Sequence, residues 1–176
     1  MISDKNKYEL IEVLARNCKG RMGRTALMKF LFFLQTLRRM PLGYRFTLYS
    51  YGPFDSDVLS DLGEAELLGY IESNVLEYSG GYGYEIEPTE PPSESSFLQK
   101  YDVDIKWVIN NFGSMNSAQL ELASTIIYAD REEPPHSRHI RDLVKRVKNV
   151  KPHFSEDKIR EQVESLHKDD LLRSIK

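Results

Sequence analysis

The chain has 176 residues, 40% of them hydrophobic and 29% charged, with a formal net charge of −3; this suits one globular domain or two small ones and excludes wholesale disorder. Its longest uninterrupted apolar run is Phe30-Leu31-Phe32-Phe33-Leu34, far short of the roughly 20 residues that a membrane helix needs. With no apolar signal region at Met1-Ile2-Ser3-Asp4-Lys5 and Cys18 as the single cysteine, an internal disulfide and a one-chain thiolate metal cage are excluded, and a reducing cytoplasm is the expected compartment.

Lys5 to Lys19 carries Tyr8, Leu10, Ile11, Leu14 and Ala15 at helical spacing and stops at Gly20. A second helix opens at Gly23-Arg24-Thr25, with Thr25 as its cap, and runs to Pro41-Leu42-Gly43. It is apolar nearly all round, as a helix enclosed by neighbours is. Tyr44 to Tyr51 alternates as a strand, broken by Gly52-Pro53. Asp55 or Ser56 caps a third helix through about Leu68, ended by Gly69. Two strands, Tyr70 to Tyr78 and Tyr82 to Glu87, flank the turn Ser79-Gly80-Gly81. Helix, helix, strand, helix, strand, turn, strand is the order of a winged helix, a helix-turn-helix variant with a β-hairpin.

The polar, Pro-rich stretch Pro88 to Ser96 reads as a linker. Four helices follow it: Phe97 to Phe112, Ser117 to Ala129, the basic Ser137 to Val150, and Ser155 to Leu172. The expected architecture is mainly α with a small β-hairpin sheet (α+β). A winged-helix-like core, 1–90, would pack on a helical C-terminal part, 91–176, in one compact body, because the apolar second helix needs cover on several sides.

Charge is segregated along the chain. Val13 to Phe54 holds eight Lys or Arg and no acidic residue, whereas Asp55 to Asp104 holds thirteen Asp or Glu against Lys100 alone. Either the two halves neutralise one another or they mark surfaces for different partners. Catalytic patterns do not emerge. His136 and His139 are three apart, without the glutamate of a zinc helix and flanked by Arg138 and Arg141, so they read as a solvated helix start. Lys19 would lower the Cys18 pKa modestly while a helix C-terminus would raise it. No Gly-x-Ser-x-Gly elbow occurs, and Gly20-Arg21-Met22-Gly23-Arg24-Thr25 departs from a nucleotide loop in its glycine spacing and its lysine. No enzymatic activity, cofactor or metal is expected.

The third helix and hairpin of a winged helix commonly meet DNA. Here the helix carries Asp55, Asp57, Asp61, Glu64 and Glu66, and the hairpin Glu72, Glu77, Glu85 and Glu87, with no base on either. Carboxylates repel a polyanion whose binding rests largely on Lys and Arg. The alternative DNA surfaces are the loop with Lys19, Arg21 and Arg24, and the basic helix 137–150, where Arg138, Arg141, Lys145 and Lys148 share a face.

Lys29-Phe30-Leu31-Phe32-Phe33-Leu34-Gln35 followed by Tyr49-Ser50-Tyr51-Gly52-Pro53-Phe54 resembles the SocA/Panacea antitoxin-like domain and the related YwgA-type bacterial proteins. Gly113, Ser117-Ala118-Gln119-Leu120-Glu121-Leu122 and Lys151-Pro152-His153-Phe154-Ser155 resemble later segments of the same proteins, and the likeness spans about Tyr8 to Leu166. The resemblance implies a helical fold with few strands, no catalysis, and a role in holding other proteins, toxins among them. The expected function is therefore a protein-interaction module. Asp55, Asp57, Asp61, Glu64, Glu72, Glu77, Tyr82, Tyr84 and Glu85 would form the surface for a basic protein partner, such as a toxin. A winged-helix DNA-binding regulator is the alternative, and a homodimer formed by the oppositely charged halves a third reading.

Overall fold

The computed structural model describes residues 2–18, 22–78 and 81–176, with the main chain alone at Tyr78. Among these, the helices are α1 (Asp4–Asn17), α2 (Arg24–Leu37), α3 (Ser56–Leu67), α4 (Ser96–Phe112), α5 (Ser117–Arg131), α6 (Ile140–Val150) and α7 (Glu156–Lys168). The strands are β1 (Thr47–Tyr49), β2 (Gly52–Phe54), β3 (Ile71–Tyr78) and β4 (Gly81–Pro88), forming the hairpin sheets β1-β2 and β3-β4. The fold is mainly helical with two small antiparallel sheets, of the α+β class.

The helix starts follow local chemistry. Side-chain oxygens of Ser3, Asp55, Ser95 and Ser155 accept from Asn6, Asp57, Leu98 and Lys158 main-chain N–H groups at 3.0–3.3 Å, filling donors that a helix leaves open. At α2 the cap is Gly23, not Thr25. A side chain there would meet the Tyr84 carbonyl at 3.1 Å, so the close approach of the hairpin selects the glycine.

Contacts divide the chain into two compact units: Met1–Thr47 with Phe54–Ser117, and Leu48–Pro53 with Ala118–Lys176. α4 joins the first unit because it packs along α1 and α2. Its Phe112 ring stacks on Phe33 at 4.0 Å, and Arg38 lies 5.0 Å over Trp107 while bonding Asp104 at 2.7 Å. α2 is buried continuously from Leu27 to Leu34, as its all-round apolarity requires. β3 and β4 pair in antiparallel register from Ile71 opposite Pro88 to Tyr78 opposite Gly81. Met22 extends this hairpin by a single bridge, its carbonyl accepting from Ile86 N at 2.8 Å.

In the second unit α6 and α7 pack together through Leu143, Val144 and Val147 on one and Ile159, Val163 and Leu166 on the other, all buried. α5 is buried from Leu120 through Ile127.

Three local expectations are corrected. Gly52-Pro53 is the start of β2, not a break: the Tyr44–Tyr51 stretch splits, and Ser50-Tyr51 form the turn. The basic helix begins at Ile140, three residues late, because Pro134-Pro135 precede it and His136 takes φ 52. Arg138 sits instead in an extended segment bridged to Ile175. α7 stops at Lys168 rather than Leu172, with Asp170 at φ 57; two aspartates at a helix C-terminus oppose its dipole. The helix stop at Gly20 and the turn at Ser79-Gly80 lie outside the described residues.

Candidate functional site

The acidic surface resolves into two groups of side chains. Asp55 and Asp61 serve the fold. Asp55 caps α3 and accepts from Arg45 N, while Asp61 accepts from Lys7 Nζ at 3.0 Å and Tyr44 Oη at 2.8 Å. Burial first, then the Asp61 carboxylate, pushes the Tyr44 phenol far above its ordinary pKa. Tyr84 is covered by Arg24, whose guanidinium lies 3.4 Å from the ring centroid. Asp57, Glu64, Glu72 and Glu77 remain exposed, Glu85 is half-buried, and Tyr82 is 66% exposed and edge-on to Tyr84 at 6.0 Å.

Strand register assigns the faces. Directly opposed residues of an antiparallel pair lie on one side. Ile71, Ser73, Val75 and Glu77 therefore share a face with Pro88, Ile86, Tyr84 and Tyr82. Its base, Ile71 and Ile86, is buried, while Val75 and Tyr82 stand exposed farther along. The other face puts Glu72 directly opposite Glu87 and Asn74 opposite Glu85, with Asn74 donating to Glu87 at 2.7 Å. Among the described residues, Asp57, Glu64, Glu72, Glu77 and Glu87 form no ion pair. Glu66, at the end of α3, accepts from Ser73 N at 2.9 Å and so ties helix to hairpin. Leu67 and Leu68 at that junction are 78% and 59% exposed.

The basic residues expected to meet nucleic acid are not brought together as one face. Lys19 and Arg21 lie outside the described residues, and Arg24 is engaged by Tyr84. Arg138 is off the helix and bonds Glu133 at 2.9 Å, and Arg146 pairs with both Glu132 and Glu133. Lys148 donates to the carbonyls of Pro152 at 2.8 Å and Phe154 at 2.7 Å, closing the end of α6. Arg141 and Lys145 remain exposed. A cavity of about 310 Å³ beside them has Glu133 and Asp142 in its lining together with Arg138, Lys145 and Arg146, so its charge is mixed. His136 and His139 precede the helix instead of sharing its face; His136 Nδ1 lies 3.2 Å from the Ile175 carbonyl. Burial pushes the Cys18 thiol above its usual pKa, opposite to the lowering expected from Lys19.

A second cluster escapes a reading by separate motifs. In the second unit Lys151, 2% exposed, meets the Glu121 carboxylate, 6% exposed, at 2.8 Å. The Lys151 ammonium also donates to the Ser50 carbonyl and lies 3.4 Å from that of Tyr49. His153 Nε2 stands 3.3 Å from the same Glu121 oxygen. Gly52, at φ +89, presses against α5, where an added Cβ would fall 3.0 Å from Ser124 Oγ and 3.2 Å from Thr125 Oγ1. The buried pair thus holds the Tyr49–Tyr51 turn by its carbonyls, with the Tyr49 and Tyr51 side chains 67% and 71% exposed. The available signal was a charged residue inside an apolar stretch, Glu121 between Leu120 and Leu122, whereas Lys151 follows a basic helix and gives no such sign; nothing in one dimension pairs them.

No protein-family model and no solved structure matches the chain. It is similar to "Uncharacterized protein YwgA" of Bacillus subtilis (strain 168), 32% identical over 113 residues. That stretch is 62% of this chain and 66% of the relative, so the chain spans just under two thirds of the relative's length. The likeness agrees with the YwgA-type part of the resemblance and lends nothing to its SocA/Panacea part. Among the described residues no helix is long and apolar enough to cross a membrane.

Proposed function

We propose that the chain is a non-enzymatic protein-interaction module, antitoxin-like or adaptor-like, whose first unit presents an acidic winged-helix surface to a basic protein partner. The helix order and the bridging of Met22 to the hairpin support the winged-helix reading. The observation that carries the function is the outward hairpin face, on which Glu72 stands directly opposite Glu87 with, among the described residues, no cation paired to either. Like charges directly opposed destabilise a strand pair, and a cationic partner would relieve that repulsion while steering its own approach. Leu67 and Leu68, beside the hairpin, add apolar area from which an interface core is made, while Val75 and Tyr82 stand on its other face. The DNA-binding alternative has less to draw on, since Arg24, Arg138 and Lys148 are occupied within the fold.

Co-purification from a bacterial lysate, with the captured proteins identified by mass spectrometry, tests the reading. The wild-type chain is expected to retain a basic protein that a Glu72→Lys, Glu87→Lys variant loses. Equal capture by both forms, or a duplex-DNA gel shift that weakens steeply with salt and vanishes in Arg141→Glu, Lys145→Glu, overturns it.

A further inference from the structure

The segment that follows α7 is held by a groove of the second unit almost entirely through its main chain. Arg173 and Ser174 donate their N–H groups to the Asp130 carboxylate at 3.0 and 2.8 Å. Asp130 is fully buried and also pairs with Arg131. On the opposite side His136 N donates to the Arg173 carbonyl at 2.9 Å and Arg138 N to that of Ser174 at 2.8 Å. Lys176 N returns a bond to the Arg138 carbonyl at 3.0 Å, and Arg131 donates to the Leu171 carbonyl at 3.1 Å. Leu172, Ser174 and Ile175 are buried. Main-chain bonds thus hold the segment in the groove while the Arg173 side chain donates to the Arg131 and Glu133 carbonyls and Leu172, Ser174 and Ile175 bury their side chains, as in the capture of a peptide segment by main-chain pairing and pockets.

We propose that residues 171–176 are an exchangeable strap, and that the groove made by Asp130, Arg131 and 136–138 accepts the same segment from a second copy of the chain. Each of the bonds just described is to groove atoms that a second copy supplies identically. The hinge favours exchange. Asp169 ends α7 and Asp170 takes φ 57, a left-handed conformation that glycine adopts freely and that aspartate tolerates better than most residues, though still at some cost. Folding the strap back onto its own groove requires that turn, whereas passing it to a neighbour lets the hinge straighten. Short hinges under strain are the ones that exchange. A strap released without a recipient would leave Leu172 and Ile175 in water, so opening is coupled to pairing.

Light scattering of the full chain over a range of concentrations reads the effect. Dimer is expected to grow with concentration and to persist in high salt. Asp170→Ala, which cannot rest in the left-handed region, raises the dimerisation constant roughly tenfold, and Asp170→Gly, which can, lowers it by a similar factor. In a dimer of isotope-labelled and unlabelled chains, filtered NMR contacts then run from Ile175 of one copy to Arg138 of the other. Monomer at every concentration for both the wild type and Asp170→Ala overturns the proposal. So does a dimer that disperses in salt, the mark of simple charge pairing, or one whose Ile175–Arg138 contacts stay within a copy.

Discussion

Gly52 carries two demands at once, a left-handed φ of +89 and an approach to α5 that leaves no room for a methyl group. Gly52→Ala is therefore expected to destabilise the fold by about 1–3 kcal/mol, read as a lower urea midpoint at unchanged slope. Lys151 and Glu121 make a different argument. A buried ion pair is a poor source of net stability, but removing one partner strands the other charge. Lys151→Met is expected to cost about 3–5 kcal/mol, while Lys151→Met with Glu121→Leu recovers most of it; a double-variant loss equal to the sum of the two single losses would show that the pair is not coupled. Tyr44 sets a pH dependence. Its phenol is raised above the ordinary value of 10.0 by burial and by Asp61, so above that pH the folded chain binds a proton that the unfolded chain has released. Stability must then fall as pH rises past 10.0, and the fall should be smaller in Tyr44→Phe, as denaturation curves at stepped pH would record, with the raised Tyr8 phenol keeping a share of it. Of these residues, glycine in a Tyr-Gly-Pro sequence was legible as special, but the reason for it, the two hydroxyls of α5, is supplied by a helix far along the chain.

Elements were legible where their signal is local. Ser155 announces α7 because a cap is made within three residues, and the glycine turn between two strand-like runs is enough to reveal β3 and β4; Ser95, read as part of the linker, caps α4. The misreadings fall where a distant contact competes with local preference. Residues 137–139 have helical neighbours and an amphipathic pattern, yet Arg138 pairs with the 174–176 segment. The hairpin offers a test at this scale. Since Glu72 faces Glu87 across the ladder, Glu72→Lys replaces repulsion by attraction and should stabilise the chain by about 0.2–1 kcal/mol, measured by urea denaturation. The proposed partner should at the same time be lost. A surface that gains stability when its charge is reversed is one kept for something other than folding.

At the scale of the whole chain, segregation of charge left open whether the halves neutralise one another or mark surfaces for different partners, and only folding decides which charges are on offer. Of the eight cations between Val13 and Phe54, Lys19, Arg21 and Arg24 were the alternative surface for DNA; Arg24 lies over the Tyr84 ring, and Arg16 and Arg38 are consumed by carboxylates and a carbonyl. Duplex DNA is accordingly expected to show no salt-sensitive retardation by this chain in a gel shift. The sequence alone determined the helical stripes, the caps at Asp55 and Ser155, the hairpin and the acidic character of its strands, because each depends on neighbours within a few positions. Tertiary structure decided which carboxylates stay free, which cations are occupied, where Lys151 finds Glu121 and how the segment after α7 closes on Asp130. Those outcomes rest on pairings between distant residues, and burial, which makes an unpaired charge costly, is what selects among them.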